Sequence, residues 1–355
     1  MSSSTHPPLR VLIVDDSVFN RRSITEILST SADVEVVGKA ADGEEALRLV
    51  SMLRPDVITL DLEMPKMDGF SFLRVIQSVW PCPVIVISSA AADKNVFRAL
   101  ELGAVDFVAK AQTSSARRSA LGNLLREKLD MVRALTPGVW TRRPPPPEYV
   151  RHATPVTPRK LEGTSPRQFI AIAASTGGPT AITTILSRLK ASPACSVMIA
   201  QHMPDNFTRT FAERLDRHCA LEVSEATASQ VILGARALVC PGRRCLEVQS
   251  DGRQFTTEVR FPTTLDRYAP SADRLLSSLA AVAGKNTIGV ILTGMGDDGT
   301  EGARALVKAG GIVIAESAET AVVYGMPQAA VKAGVVRRSL PLGDIANYLN
   351  DLIRP

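Results

Sequence analysis

The stretch Ala173-Ala174-Ser175-Thr176-Gly177-Gly178-Pro179 decides how this chain is read. The apolar run Phe169-Ile170-Ala171-Ile172-Ala173 leads into it with the length and composition of a buried strand. Beyond it, Pro179 suits a first helical position, and Ile182, Ile185, Leu186 and Leu189 recur at helical spacing. A serine therefore stands where a strand turns into a helix N-terminus, beside two glycines. Free backbone N–H groups and the positive end of the helix dipole converge at such a point, and both favour a developing oxyanion. Taken alone, the segment reads equally as an N-cap serine with a glycine turn. Residues further along the chain change that balance.

Length and composition set the frame. A chain of 355 residues, 45% hydrophobic and 22% charged, suits two soluble globular domains. The opening Met1-Ser2-Ser3-Ser4-Thr5-His6-Pro7-Pro8 lacks the apolar segment of a signal peptide, and no later run is long enough to span a bilayer. Direct membrane insertion is not expected. Cys82, Cys195, Cys219, Cys240 and Cys245 form no C-x-x-C pair, which argues against zinc or a disulfide framework and for a reduced cytoplasm. The net charge of +5 is mild and no basic helix interleaved with aromatics accompanies it, so no nucleic-acid partner is expected.

From Arg10 to about Leu135 short apolar runs alternate with helical patterns, the signature of an α/β domain with a parallel sheet covered on both faces. The expected strands are Val11–Val14, Val34–Val37, Val57–Leu60, Val84–Ile87 and Asp106–Val108. Leu121, Leu124, Leu125, Val132 and Leu135 mark a last helix, with Lys128 a polar interruption of its apolar face. Chemistry in such sheets gathers at the C-terminal strand ends. Asp15 and Asp16 follow the first strand, and Asp61 follows the third. Clustered carboxylates need a compensating cation, and oxygen-only ligands suit Mg²⁺. Ser88 and Lys110 at two further strand ends add a hydroxyl and a phosphate partner, which together make a site for phosphorylating an aspartate.

This half resembles response-regulator receiver domains, through Asp15-Asp16, the string D-L-E-M-P-K-M-D-G from Asp61 to Gly69, Ser88 and Lys110. The resemblance implies a flavodoxin-like five-stranded sheet over residues 9–135 and a sensor histidine kinase as phosphodonor. It implies Asp61 as phosphoacceptor, and Mg²⁺ held by Asp16, Asp61 and the backbone carbonyl of Glu63, with Asp15 in support. Ser88 and Lys110 would read the phosphoryl group. Ala111 departs from the family, which usually has proline after the lysine.

Residues 136–167 form a linker: Pro144-Pro145-Pro146-Pro147, with further prolines and arginines around it, reads as an extended, solvated tether. After it, residues 168–355 return to strand and helix alternation, a doubly wound, mostly parallel α/β domain. Ser196–Ala200 reads as a strand ending in Gln201-His202-Met203-Pro204, and Leu221 to Arg260 as all-β with a hairpin. Helices are expected near Ser271–Ala283 and Leu342–Ile353, and the strand Thr287–Leu292 leads into T-G-M-G-D-D-G from Thr293 to Gly299. Three strands thus end in Ser175, in His202, and in the acid pair Asp297-Asp298. A serine needs a base within reach, usually a histidine oriented by a carboxylate. Of four histidines, His6 lies in the tail, His152 in the linker and His218 near a helix end, so His202 alone stands at a strand end. The three positions together argue for serine-hydrolase chemistry.

The order Ser, His, Asp differs from that of α/β-hydrolases, and no G-x-S-x-G elbow is present. Instead A-S-T-G-G-P, Q-H-M-P, L-T-G-M-G-D-D-G and V-V-Y-G-M-P (Val322 to Pro327) resemble the catalytic domain of chemotaxis protein-glutamate methylesterases. That resemblance implies Ser175 as nucleophile, His202 as general base and acid, and Asp298 as orienting carboxylate, with Asp297 a second candidate. It implies oxyanion donors at the backbone of Thr176 and Met295, no cofactor in this domain, and methyl-accepting chemoreceptors as substrate. Demethylation of receptor glutamates, deamidation of receptor glutamines and control by receiver phosphorylation follow from it. Cys245, where many relatives have histidine, and Ala269, where they have arginine before Pro270, are expected to alter the rim of the site. The rival class is a response regulator with a binding-only or non-chemotaxis output, disfavoured by the absence of a helix-turn-helix pattern.

Overall fold

The computed structural model of the chain describes residues 7–88, 93–110, 115–136, 139 and 164–353. Two compact units divide the chain, Met1–Arg143 and Pro144–Pro355. Ala111 and nearly all of the linker lie outside the described residues.

Among the described residues of the first unit five strands alternate with five helices. They are β1 (Leu9–Val14), α1 (Val18–Leu28), β2 (Val34–Ala40), α2 (Gly43–Leu53), β3 (Val57–Leu60), α3 (Gly69–Val79), β4 (Val84–Ser88), α4 (Asp93–Glu101), β5 (Asp106–Ala109) and α5 (Ser115–Arg133). Each expected strand is present: β3 has the expected bounds, and the other four are extended by one to three residues. The sheet order is β2-β1-β3-β4-β5, with every pairing parallel. Strand order reverses at β1/β3, the switch point where ligands of open α/β sheets bind. Helices with aspartate caps (Asp42 on α2, Asp68 on α3) follow the signals expected of N-termini. The polar interruption Lys128 is partly buried in α5, 2.9 Å from Asp106 at the start of β5. A long-range ion pair is what lets a lysine occupy an apolar face.

The second unit has a seven-stranded sheet of order β14-β13-β12-β6-β7-β9-β8, again with every pairing parallel. Its central strands are β6 (Gln168–Ala174), β7 (Cys195–Gln201) and β12 (Thr287–Ile291). β8 (Glu222–Glu225) and β9 (Arg236–Val239) form one edge, and β13 (Ile312–Glu316) and β14 (Arg338–Leu340) the other. β10 (Cys245–Ser250) and β11 (Phe255–Arg260) make a separate antiparallel hairpin. The helices are α6 (Gly178–Leu186), α7 (Asp205–Asp216), α8 (Ala272–Val282), α9 (Thr300–Lys308), α10 (Met326–Lys332) and α11 (Leu342–Leu352).

β6 is flanked by β7 on one side and β12 on the other, so the strand order reverses at β6. Phe169, Ile170, Ala171, Ile172 and Ala173 are all buried, as a strand covered on both faces requires. The second unit therefore has its own switch point, at the residue that follows Ala174. All five cysteines are buried and unbridged.

Candidate active site and phosphoacceptor site

Ser175 leaves β6 and His202 leaves β7 side by side. Ala174 and Gln201 are register partners, and the His202 N–H donates to the Ala174 carbonyl at 3.0 Å. Neighbouring strands lie about 5 Å apart, so the two residues start from adjacent positions at the same sheet edge. The Ser175 N–H donates to the Thr293 carbonyl at 3.0 Å, which ties the same turn to the loop after β12. Ser175 does not cap α6: the N-cap is Gly177, at φ 77°, with no side-chain cap bond. The hydroxyl is thus not consumed by the helix. Gly294 passes so close that a β-carbon there would come within 2.7 Å of Ser175 Cβ.

The acid pair separates cleanly. Asp298, 1% exposed, lies 2.7 Å through Oδ2 from His202 Nε2. Its other contacts are also donors: the N–H groups of Ala272 (2.8 Å), Asp273 (3.0 Å) and Gly299 (3.0 Å), and at 3.5 Å the Ser271 hydroxyl. Of the N–H groups, two open α8, whose positive end faces the carboxylate. Burial works to raise its pKa, yet the His202 hydrogen bond and charge, with the backbone N–H groups, hold Asp298 below the ordinary carboxylate value. Because this carboxylate only accepts, Nε2 carries the ring proton and Nδ1 is left as the basic nitrogen. Asp297 instead stands on the rim, salt-bridged to Arg267 at 3.0 Å and accepting from the Tyr268 hydroxyl at 3.2 Å. Among the described residues no hydrogen bond joins Ser175 Oγ to the imidazole; such contacts commonly tighten only when substrate enters. Thr176 follows Ser175 and is buried, whereas Met295 is exposed in the loop after β12.

At the first unit's switch point, Asp15, Asp16 and Asp61 place carboxylate oxygens within 4.8 Å of one another. Lys110 Nζ reaches Asp61 at 2.5 Å and Asp15 at 3.1 Å. Burial and the Asp15 charge push the Asp61 pKa up against the pull of Lys110. Burial alone would lower Lys110, but the two carboxylates outweigh it and hold its pKa above the usual lysine value. Ser88 is buried at the end of β4, its carbonyl accepting the Lys110 N–H at 2.7 Å. Glu63 is exposed, and its N–H donates to Asp61 Oδ1 at 3.5 Å. The donor set, hard oxygens with one ammonium alongside, fits a divalent cation of the Mg²⁺ class.

Comparison with known proteins decides the family. Residues 11–121 match the response regulator receiver domain and residues 170–349 match the CheB methylesterase domain. The protein-glutamate methylesterase/protein-glutamine glutaminase 1 of Myxococcus xanthus (strain DK1622) is 45% identical over 98% of this chain and 97% of its own length. A counterpart from Geobacter sulfurreducens (strain ATCC 51573 / DSM 12127 / PCA) is 42% identical over 94% of each. The chain belongs to the CheB methylesterase family. Its second unit also matches the crystal structure of the Thermotoga maritima CheB methylesterase catalytic domain, with a TM-score of 0.51 and 34% identity over 54% of this chain and 100% of that one.

Within this CheB methylesterase fold, several neighbours of the site carried no sequence signal. Tyr268 stacks flat on the His202 ring, with centroids 5.0 Å apart and planes at 11°. Glu316, fully buried at the end of β13, accepts the Thr293 N–H at 2.9 Å, directly behind the loop that holds Ser175. Burial raises its pKa to about 7. One expectation is corrected: Cys245 is not on the rim but fully buried at the start of β10, where the hairpin packs into the core. Ala269 does lie in the loop that carries Arg267 and Tyr268.

Proposed function

We propose that this protein is a phosphorylation-regulated serine hydrolase that removes γ-methyl esters from glutamates of methyl-accepting chemoreceptors and deamidates receptor glutamines, serving chemotaxis adaptation in the cytoplasm. The reading rests above all on one observation: His202 is bonded to the buried Asp298 while it and Ser175 directly follow the register pair Gln201 and Ala174, at the switch point of a parallel sheet. The named relatives, matched from end to end, support the substrate class, and they lend nothing to a binding-only output.

In the proposed reaction Ser175 Oγ attacks the ester carbonyl carbon as His202 Nδ1 takes its proton. Asp298 stabilises the imidazolium so formed. The negative charge passes to the carbonyl oxygen, toward the backbone N–H groups of Thr176 and Met295. Collapse expels methoxide, which takes the proton from His202 and leaves as methanol. Water then repeats the sequence on the glutamyl ester of Ser175, releasing glutamate and restoring the serine. With a glutamine the leaving group is ammonia.

The first unit would accept a phosphoryl group on Asp61 from a sensor histidine kinase. Asp16, Asp61 and the Glu63 carbonyl would hold Mg²⁺, with Asp15 in support, and the bound ion supplies charge that offsets the incoming phosphoryl group. Lys110 and Ser88 would bind its oxygens. Phosphorylation would raise the hydrolase rate. The test is methanol release from methylated receptor: Ser175→Ala abolishes it while leaving Mg²⁺-dependent phosphorylation of Asp61 intact. Retained methanol release in that variant rejects the assignment.

A further inference from the structure

Gln201, the last residue of β7, is 1% exposed and directs its side-chain amide at the backbone of both reacting residues. Its Nε2 donates to the Ser175 carbonyl at 2.8 Å and to the His202 carbonyl at 3.0 Å. An amide nitrogen has two protons, so one group serves both acceptors. The acceptors also fix the orientation, because the reversed amide would set its oxygen against two carbonyl oxygens. The remaining oxygen, Oε1, has no hydrogen-bond partner. It lies over the bare Cα of Gly178, where any β-carbon would run into it.

A buried acceptor without a partner weakens a fold. For stability the amide has mixed effects: it satisfies the His202 carbonyl but leaves its own oxygen without a partner. The Ser175 carbonyl, moreover, already accepts the Gly178 N–H at 2.9 Å. What the amide adds is a single rigid link between two chain segments that diverge beyond the sheet edge. We propose that Gln201 is a positioning residue: its amide sets the separation and pitch of the Ser175 and His202 backbones, and Gly178 is bare so that the amide and the Ala174 methyl both fit beside it. This rests on Ser175 and His202 being nucleophile and base.

The experiment uses the full chain, phosphorylated on Asp61, with methylated receptor as substrate and thermal unfolding measured in parallel. Misplacement of a reacting group by about 1 Å costs on the order of 10²-fold, so Gln201→Met is expected to lower kcat by roughly 10- to 100-fold. KM should stay within about twofold, because the link acts on the reacting atoms and not on uniform binding. The melting temperature should change little, because loss of the bond to the His202 carbonyl is offset by removal of the unpartnered Oε1. Gly178→Ala crowds the same amide, and the Ala174 methyl with it, so it should lower kcat at least as much, and the two losses should combine less than additively. A kcat within about threefold of wild type in Gln201→Met overturns the proposal, as do additive losses or a loss that appears in KM and melting temperature instead. Failure of Gln201→Met to fold overturns it too. Ser175→Ala run alongside separates the two readings: activity in Ser175→Ala sinks the nucleophile assignment, whereas a dead Ser175→Ala beside an unimpaired Gln201→Met sinks only the role of Gln201.

Discussion

The molecule contains two switch points of parallel sheets, and they solve the problem of a buried carboxylate in opposite ways. At the end of β1 and β3, Asp15, Asp16 and Asp61 crowd together against one ammonium, that of Lys110. At the end of β6, β7 and β12, Asp298 is surrounded by the imidazole of His202 and the N–H groups of Ala272, Asp273 and Gly299. The first cluster leaves negative charge uncompensated by the chain, and burial pushes the Asp61 pKa up. The second is satisfied by the chain's own donors, and its carboxylate is held below the ordinary value. One architecture thus yields an acidic cluster short of positive charge, which the proposed function fills with a cation and a phosphoryl group, and another whose carboxylate is matched by the chain's own donors. What differs is the supply of donors, not the fold.

That contrast can be broken most sharply at Asp298. Asp298→Asn should lower kcat for methyl-ester hydrolysis by roughly 10⁴-fold, because the wrong tautomer and an unsupported imidazolium result. Asp297→Asn, on the rim with Arg267 and Tyr268, should stay within about tenfold, an exposed ion pair being worth little. Steady-state methanol release from both variants decides it, and equal losses would erase the distinction between the two acids.

The next effect sits at the other switch point. Chelating Mg²⁺ should slow phosphorylation of Asp61 by at least about 100-fold, as loss of several kcal/mol of charge stabilisation requires. The basal ester hydrolysis of the unphosphorylated chain should be unchanged. Phosphate incorporation and methanol release measured on the same sample give both answers.

Glu316 offers a third comparison, a buried acid with neither a cation nor three donors. Its folded pKa of about 7 lies above the ordinary 4.5, so the folded state binds the proton more tightly than the unfolded one. Its presence therefore costs nothing near pH 4, and the penalty grows as pH rises through 4.5 to about 7. That interval corresponds to roughly 3 kcal/mol, so Glu316→Gln should stabilise the chain by up to that amount at pH 8 and hardly at all at pH 4. Calorimetric unfolding at the two pH values checks the sign. The smallest effect is expected of Tyr268→Phe, which keeps the ring stacked on His202 and loses only the bond to Asp297: a change in kcat of about threefold or less, since one exposed hydrogen bond is worth about 1 kcal/mol or less.

Much of this was legible in the chain itself, for identifiable reasons. Apolar runs such as Phe169–Ala173 and Val57–Leu60 declare buried parallel strands, and acids placed directly after them declare strand-end chemistry. Pairing across the sheet was less accessible. Nothing local says that β6 lies between β7 and β12, yet that order is what brings Ser175, His202 and the loop of Asp298 to one edge. Asp297 and Asp298 are neighbours of identical chemistry; the family resemblance favoured Asp298, and the placement of α8 supplies the physical distinction. Lys128 looked like a break in a pattern because its partner, Asp106, lies on another element. Tyr268 and Glu316 reach the site from loops and strands remote in sequence, with no motif of their own.

The central claim is that Ser175 carries the acyl group, and rapid-quench peptide mapping tests it most directly. With methylated receptor in a single turnover quenched in acid, the account predicts a glutamyl ester on the peptide that contains Ser175, formed together with methanol. Methanol released with no adduct on that peptide, or with an adduct on another residue, would contradict it.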